Sequence, residues 1–126
     1  MNIEQIAKVC HEANRAYCES IGDESQLPWN DASEWQRKSA ISGVEFRIKN
    51  PNSTPESQHV EWFNDKIRNG WKHGLVKDAD KKEHPCLVLY SQLPESQKLK
   101  DALFIAVVDS LKGSVIARSV EEVGGI

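Results

Sequence analysis

The segment from Pro94 to Gly113 constrains this chain more than any other. Leu99, Ala102, Leu103, Ala106, Val107, Ser110 and Leu111 recur at three- and four-residue spacing, and Phe104 and Val108 widen the stripe. A helix apolar over that much of its circumference needs cover on several sides. The pattern therefore predicts a central core helix, opened by Pro94 and capped by Gly113, with the other elements packed around it. A chain of 126 residues that is 39% hydrophobic has apolar surface for one small core and one domain.

The punctuation of the rest supplies those elements. Ile3, Ile6, Cys10, Ala13, Tyr17 and Ile21 mark a first amphipathic helix ending near Gly22. The turn formers of GDESQLPWNDAS make a loop over residues 22–33. Ser33 is placed to cap a second helix with the stripe Trp35, Ile41, Val44 and Ile48, stopped by Asn50-Pro51. Thr54-Pro55-Glu56 reads as N-cap, first helical position and early acid of a third helix. That helix carries Trp62, Phe63, Lys66 and Ile67 and ends at Asn69-Gly70. Strands are predicted over Trp71–Val76 and Cys86–Tyr90, with KDADKKEHP as a long polar hairpin tip. The expected architecture is α+β: a small single domain of about four helices packed with a β-hairpin over residues 1–113. The tail, residues 114–126, has apolar residues without one clear period and reads as a short helix that docks on a partner.

Several function classes are disfavoured. The net charge of -3 and modest aromatic content do not suggest a nucleic-acid binder. No run of eighteen apolar residues exists, and the N-terminus lacks a signal peptide's apolar block. Three cysteines, an odd number, fit free thiols in a reducing cytoplasm. Charge is nonetheless uneven. Residues 1–34 hold seven carboxylates against Lys8 and Arg15, whereas residues 66–82 hold six cationic side chains against Asp78 and Asp80. One reading is solubility with a chance cluster, and the other is a local field that attracts an anion.

Chemistry-bearing residues are sparse. His84 and Cys86 would share one face of a strand, but no CxxC or HxxxH completes a zinc shell. Cys86 lies in the apolar run CLVLY, where a nucleophilic thiolate is disfavoured. His84 is expected to bond a backbone carbonyl and lock the loop's return. No phosphate-cradling GxxxxGKS or GxGxxG loop is present. No catalytic group, metal or cofactor is assigned. Lys77, Lys72 and Arg68 would hold phosphate oxygens, with Lys81 and Lys82 facing solvent; the competing reading is a solvated tip. Trp62 either stacks on a base or serves as core, and Trp71 fixes the corner between helix and strand. The Trp29–Trp35 loop either closes over a ligand or is pinned to the core by its aromatics.

The order of motifs has a familiar pattern. Glu61-Trp62 is followed nine residues later by Gly70-Trp71, then by GLVKDADKKEHPCLVLYSQLP and a helix. This resembles the ryanodine-receptor repeat, or RyR domain, most closely over residues 54–112. The stretch from Ile6 to Val44 is also similar to small bacterial and bacteriophage members. The resemblance implies a compact α+β unit and lone copies that pair as homodimers or larger assemblies. It also implies an adenine-nucleotide or nucleotide-derived ligand, with Trp62 at the base and Lys77 at phosphate. In a phage setting such a protein would sequester a host defence signal. A family asparagine falls on Asp101, so the chain departs there: a carboxylate repels phosphate but accepts from a ribose hydroxyl or base amine. The expectation is a non-enzymatic cytoplasmic binding module for a nucleotide-type molecule. The alternative is a protein–protein module that uses its tail and Trp loop and binds no small ligand.

Overall fold

The computed structural model describes the backbone of residues 1–124 and the side chains of residues 1–115. Four helices, α1 (Ile3–Ser20), α2 (Glu34–Lys49), α3 (Pro55–Arg68) and α4 (Glu95–Gly124), are joined by a small two-stranded element, β1 (Lys72–His73) and β2 (Glu83–His84). Helix α1 packs against α2 and α4, α3 closes against α2 and α4, and α2 also meets α4. Helix α4 thus touches all three others, as its apolar circumference predicted. The fold is α+β, and among the described residues no helix is long and apolar enough to cross a membrane.

Helix boundaries follow the local chemistry. Asn2 caps α1 through a capping box with Gln5, and Gly22 beyond its end takes φ +88. Ser33 stands at the N-cap of α2 but makes no side-chain cap bond. Thr54 Oγ1 accepts from Ser57 N at 3.2 Å, with Pro55 in the first turn of α3, and Gly70 at φ +84 ends that helix. Gly113 does not cap α4, whose backbone runs on to Gly124. The side chains of the tail from residue 116, and with them its expected docking face, lie outside the described residues.

The core lies where α1, α2 and α4 meet. Ile6, Val44 and Val108 are fully buried, with Ala7, Cys10 and Trp29 beside them and Phe104, Val107, Leu111 and Val115 packed against the cluster. Burial of each large aliphatic side chain contributes about 1.5–3 kcal/mol. Helix α4 is rotated relative to its predicted stripe. Its buried face is 104–107–108–111–115, whereas Leu99, Ala102 and Ala106 are exposed. Phe104 wins the inner position because its ring reaches the backbone of α2 at Gly43, where a Cβ would stand 3.0 Å from Phe104 Cζ. The loop after α1 is pinned as one of its two readings required. Trp29 is buried, its N–H donates to Glu12 Oε1 at 3.0 Å, and His11 meets its ring edge-on.

The β element corrects the predicted hairpin. Strands β1 and β2 run parallel, with Lys72 opposite Glu83 and His73 opposite His84, and Asp78 turns back to bridge Glu83 antiparallel. Asp78 Oδ1 accepts from the N–H groups of Asp80 and Lys81, which curls the tip into a tight loop instead of extending it. Gly74 permits the close approach, since a Cβ there would lie 2.6 Å from Glu83 Cβ. Leu75 and Val76, predicted as strand, are 91% and 74% exposed. Cys86–Tyr90 is not a strand: the Leu89 N–H donates to Gln92 Oε1, and a 3₁₀ turn follows over Tyr90–Gln92.

One ion pair ties the far end of the bundle. Buried Arg47 of α2 donates from Nε to Asp109 Oδ1 at 2.9 Å and from Nη2 to Oδ2 at 2.7 Å, and its Nη1 donates to the Ser53 carbonyl. The bonds from Arg47 hold the Asp109 carboxyl below its ordinary pKa. A depressed carboxyl contributes stability above its unfolded pKa and loses it as pH falls through the folded value. Arg47→Met should therefore lower unfolding free energy by about 1–3 kcal/mol at pH 7. Denaturant melts should show the gap to the parent narrowing under acid, where the parent loses the pair as well.

Candidate functional site

Helix α3 buries the wrong residues for an ordinary amphipathic helix. Its inward positions are Gln58, His59 and Lys66, while Ile67 is 48% exposed. Trp62 and Phe63 are half-buried. Gln58 and His59 of this face line a partly open cavity of about 390 Å³ bordered by all four helices and the segment His84–Cys86. The volume falls in the ordinary range of small-molecule sites, about 300–1,000 Å³. Three of the five residues singled out from the sequence, Trp62, Lys77 and Asp101, line it together, brought from α3, the β loop and α4. Arg68 and Lys72 do not line it. Arg68 is mostly exposed and lies 3.8 Å from Glu61 and 3.7 Å from Asp65, and Lys72 points to solvent.

Aromatic rings form one wall. His59 stacks on Trp62 with centroids 5.6 Å apart, and His84 meets Trp62 in a T-shape at 5.0 Å. His59 is fixed by a 2.8 Å bond from Nε2 to the Val88 carbonyl. Trp62 therefore has one neighbour on its face and one at an edge, and is neither free nor entombed. Trp71 is buried, holds the helix–strand corner through its N–H to the Lys66 carbonyl, and packs 4.8 Å from Trp35. The Lys66 ammonium is 5.1 Å from the Trp35 ring centre and 5.8 Å from that of Trp71. Burial pulls its pKa down, and Asp65 at 3.9 Å opposes the shift.

Two lysines, Lys77 and Lys100, share the cavity wall with Asp23, Glu61, Asp65 and Asp101. Lys77 is exposed as a residue, yet its Nζ lies 5.1 Å from the Trp35 centroid. Desolvation of that end lowers its pKa, and the positive charge of Lys100 lowers it further. Neither Lys77 nor Lys100 forms an ion pair among the described residues. Desolvation, with Lys77 next, also drives the pKa of His84 down to about 4, so the ring is neutral at pH 7. Its Nδ1 accepts from the Cys86 N–H at 3.0 Å, and the partner is thus a backbone donor and not the expected carbonyl. Burial raises the Cys86 thiol and pushes Cys10 up to about 12, which keeps both in the thiol form. Burial raises Asp101 to about 7 against the pull of Lys100. Among the described residues, no group of three or more His, Cys, Asp or Glu is placed to hold a metal ion.

Lys100, Gln58 and His59 belong to the site but were not singled out for it, and Trp35 entered only as the end of a loop with two readings. Their signal is positional. The buried stripe of α4, followed back from Leu111 through Val108 and Phe104, reaches Lys100 one helical turn earlier. A buried stripe that turns charged marks a cavity wall, and the stripe assigned from composition centred one position away while sharing Val107 and Leu111 with it.

The protein is a small α+β unit with a cavity between its helices that is walled by aromatic rings and by charged side chains of both signs. The RyR domain model matches residues 49–114, and the chain belongs to that family. The matched part supplies α3, the β element and the first two-thirds of α4, whereas Trp35 and Gly43 of α2 and Cys10 of α1 complete the cavity from outside it.

Asp101 offers a direct check on this environment. A carboxyl raised to about 7 in the folded state binds a proton that the unfolded chain releases near pH 4. Stability then falls as pH rises from about 4 to about 7 and levels off above. Asp101→Asn should match the parent near pH 4 and exceed it by on the order of 2–4 kcal/mol at pH 8. Urea melts across that range, with a carboxyl resonance titrating near neutrality, would show this; a gap independent of pH would refute it.

Proposed function

We propose that this protein is a non-catalytic binding module whose cavity takes a nucleotide or nucleotide-derived signalling molecule. The observation that carries the reading is the pair of ammonium groups, Lys77 and Lys100, which share one cavity wall beside an indole and form no ion pair among the described residues, although Asp23 and Asp101 line the same cavity. Like charges brought together at a partly desolvated site destabilise the empty protein and are relieved by a polyanion. Half-buried Trp62 lines the cavity as an aromatic surface for a base, and stacking of that kind is worth about 1–3 kcal/mol per base. Asp101, close to neutral pH in its titration, alternates between accepting and donating a hydrogen bond, which lessens its repulsion of phosphate. The thiols that face the cavity are protonated, which removes them as nucleophiles and supports binding over catalysis. In a reducing cytoplasm the module would hold its ligand out of circulation or report its presence.

Thermal denaturation with a panel of mononucleotides, dinucleotides and cyclic dinucleotides is the test. A ligand at a hundred times its dissociation constant should add about 2.7 kcal/mol of stability. Lys77→Ala and Lys100→Ala should each abolish that shift, whereas Lys8→Ala on the exposed face of α1 should leave it unchanged. Absence of a shift with every panel member at millimolar concentration would overturn the reading.

A further inference from the structure

Four carboxylates line the cavity, and three of them are engaged. Asp23 Oδ1 accepts from the Ser25 N–H at 2.9 Å, and Glu61 and Asp65 lie 3.8 and 3.7 Å from the Arg68 guanidinium. Asp101 is the exception. Among the described residues neither of its oxygens has a hydrogen bond or an ion pair, and neither is sealed from solvent. A half-buried carboxyl that borders a cavity and lacks a donor is a group whose charge depends on what the cavity holds.

Its neighbours bring it into the field of the cations. Lys100, the preceding residue of α4, attracts the Asp101 charge and repels that of Lys77. The Cys86 thiol feels Lys100, Asp101 and Lys77 together, so the three charges share one neighbourhood of the wall. An anion drawn to the two ammonium groups favours the neutral form of Asp101 by like charge. Protonated, Asp101 has an O–H to donate to an anion's oxygen; ionised, it only accepts. The other elements offer few competitors for the proton. His84 of the β element is neutral, with its pKa near 4, and burial keeps Cys86 and Cys10 as thiols. Burial and then the Asp101 charge hold the Tyr90 phenol neutral, and α2 presents no titratable side chain to the cavity. The imidazoles of His11 and His59, bonded through Nε2 to the carbonyls of Leu27 at 2.6 Å and Val88 at 2.8 Å, are the remaining wall groups of a type that gains a proton near neutrality.

We infer that Asp101 is a specificity-determining residue that couples the ligand to a proton: a phosphate- or sulfate-class anion occupies the cavity together with one proton on the Asp101 carboxyl, and a rise in pH weakens its hold. The inference rests on the anionic half of the nucleotide reading above and adds its regulation by pH. The sign follows from linkage. The empty cavity holds the Asp101 carboxyl at about 7, and an anion raises it further. Affinity is then full below about pH 7 and falls as pH climbs toward the occupied value.

Sulfate is the probe, because its charge is constant over the range in which a phosphate monoester titrates. Its binding to the parent and to Asp101→Asn is followed by the indole NMR signals of Trp35 and Trp62 at about pH 6 and about pH 8.5, with chloride holding ionic strength constant. The parent should bind at least about fivefold more weakly at the higher pH, whereas Asp101→Asn should change by less than about twofold. A parent with unchanged affinity overturns the inference. So does a variant that keeps the parent's full pH dependence, a result that assigns the proton to His11 or His59. Failure of sulfate to bind the parent at either pH overturns it too, and leaves the nucleotide reading to its own panel. Proton-linked sulfate binding with no nucleotide bound supports the inference and removes the nucleotide. Should Asp101→Asn not fold, the Asp101 carboxyl carbon titration of the parent decides: saturating sulfate should raise its midpoint by about 0.7 of a pH unit, and an unmoved midpoint counts against the inference.

Discussion

The structure depends on how α3 buries polar side chains. A helix that turns Gln58, His59 and Lys66 inward obtains little from the hydrophobic effect along that face, and each polar group taken from water needs a partner. Lys66 is provided for by the rings of Trp35 and Trp71 and by Asp65, an arrangement whose cation–π attraction grows as water is excluded. His59 has the Val88 carbonyl, and that bond explains the path of the chain after the β element. A strand at Cys86–Tyr90 would have committed the Val88 carbonyl to a sheet ladder. In its place the segment bends across α3, buries Leu87 and Leu93, and delivers Cys86 to the cavity.

Much of the fold was legible because helix ends are local events. The caps at Thr54 and Gly70, the loop before α2 and the ranges of α1, α2 and α3 rest on side chains within a few residues of each boundary. The β element was misjudged because its form is set by contacts that sequence spacing does not reveal. The curl of Asp78 onto the following N–H groups, the left-handed Lys82 at φ 53 and the close pass of Gly74 under Glu83 turn an expected hairpin into a short parallel pair. On α4 the periodicity was found but its phase was not. Leu99, Ala102 and Ala106 compete on composition with Phe104, Val107 and Val108, and the choice is made by the fit of one ring at Gly43.

The candidate site was partly legible for a different reason. Trp62 and Lys77 came from the residues and from resemblance together, Asp101 from resemblance alone, and the fold brings the three to one cavity. Arg68 and Lys72 came from local charge density, which says nothing about direction: Arg68 lies at the C-terminal end of α3, where the carboxylates of Glu61 and Asp65 and the helix dipole attract its guanidinium along the outer surface. Cationic residues near one another in sequence were thus divided between a solvated edge and a desolvated cavity by the faces on which they stand.

The same logic joins stability to the site. Along α4, Val108 and Leu111 are core, Asp109 binds Arg47, and Lys100 and Asp101 face the cavity. One end of the helix is secured by apolar packing and a bidentate ion pair; the other carries the Lys100 ammonium and a carboxyl raised to about 7. The carboxyl at that end is there at a cost to the empty fold, since desolvation disfavours its charged form. A continuous helix lets the secured end position the strained one. The mechanical consequence is that Lys100 needs no loop to place it: its direction is set by the seating of Phe104 one turn away, and that seating is set by the glycine of α2.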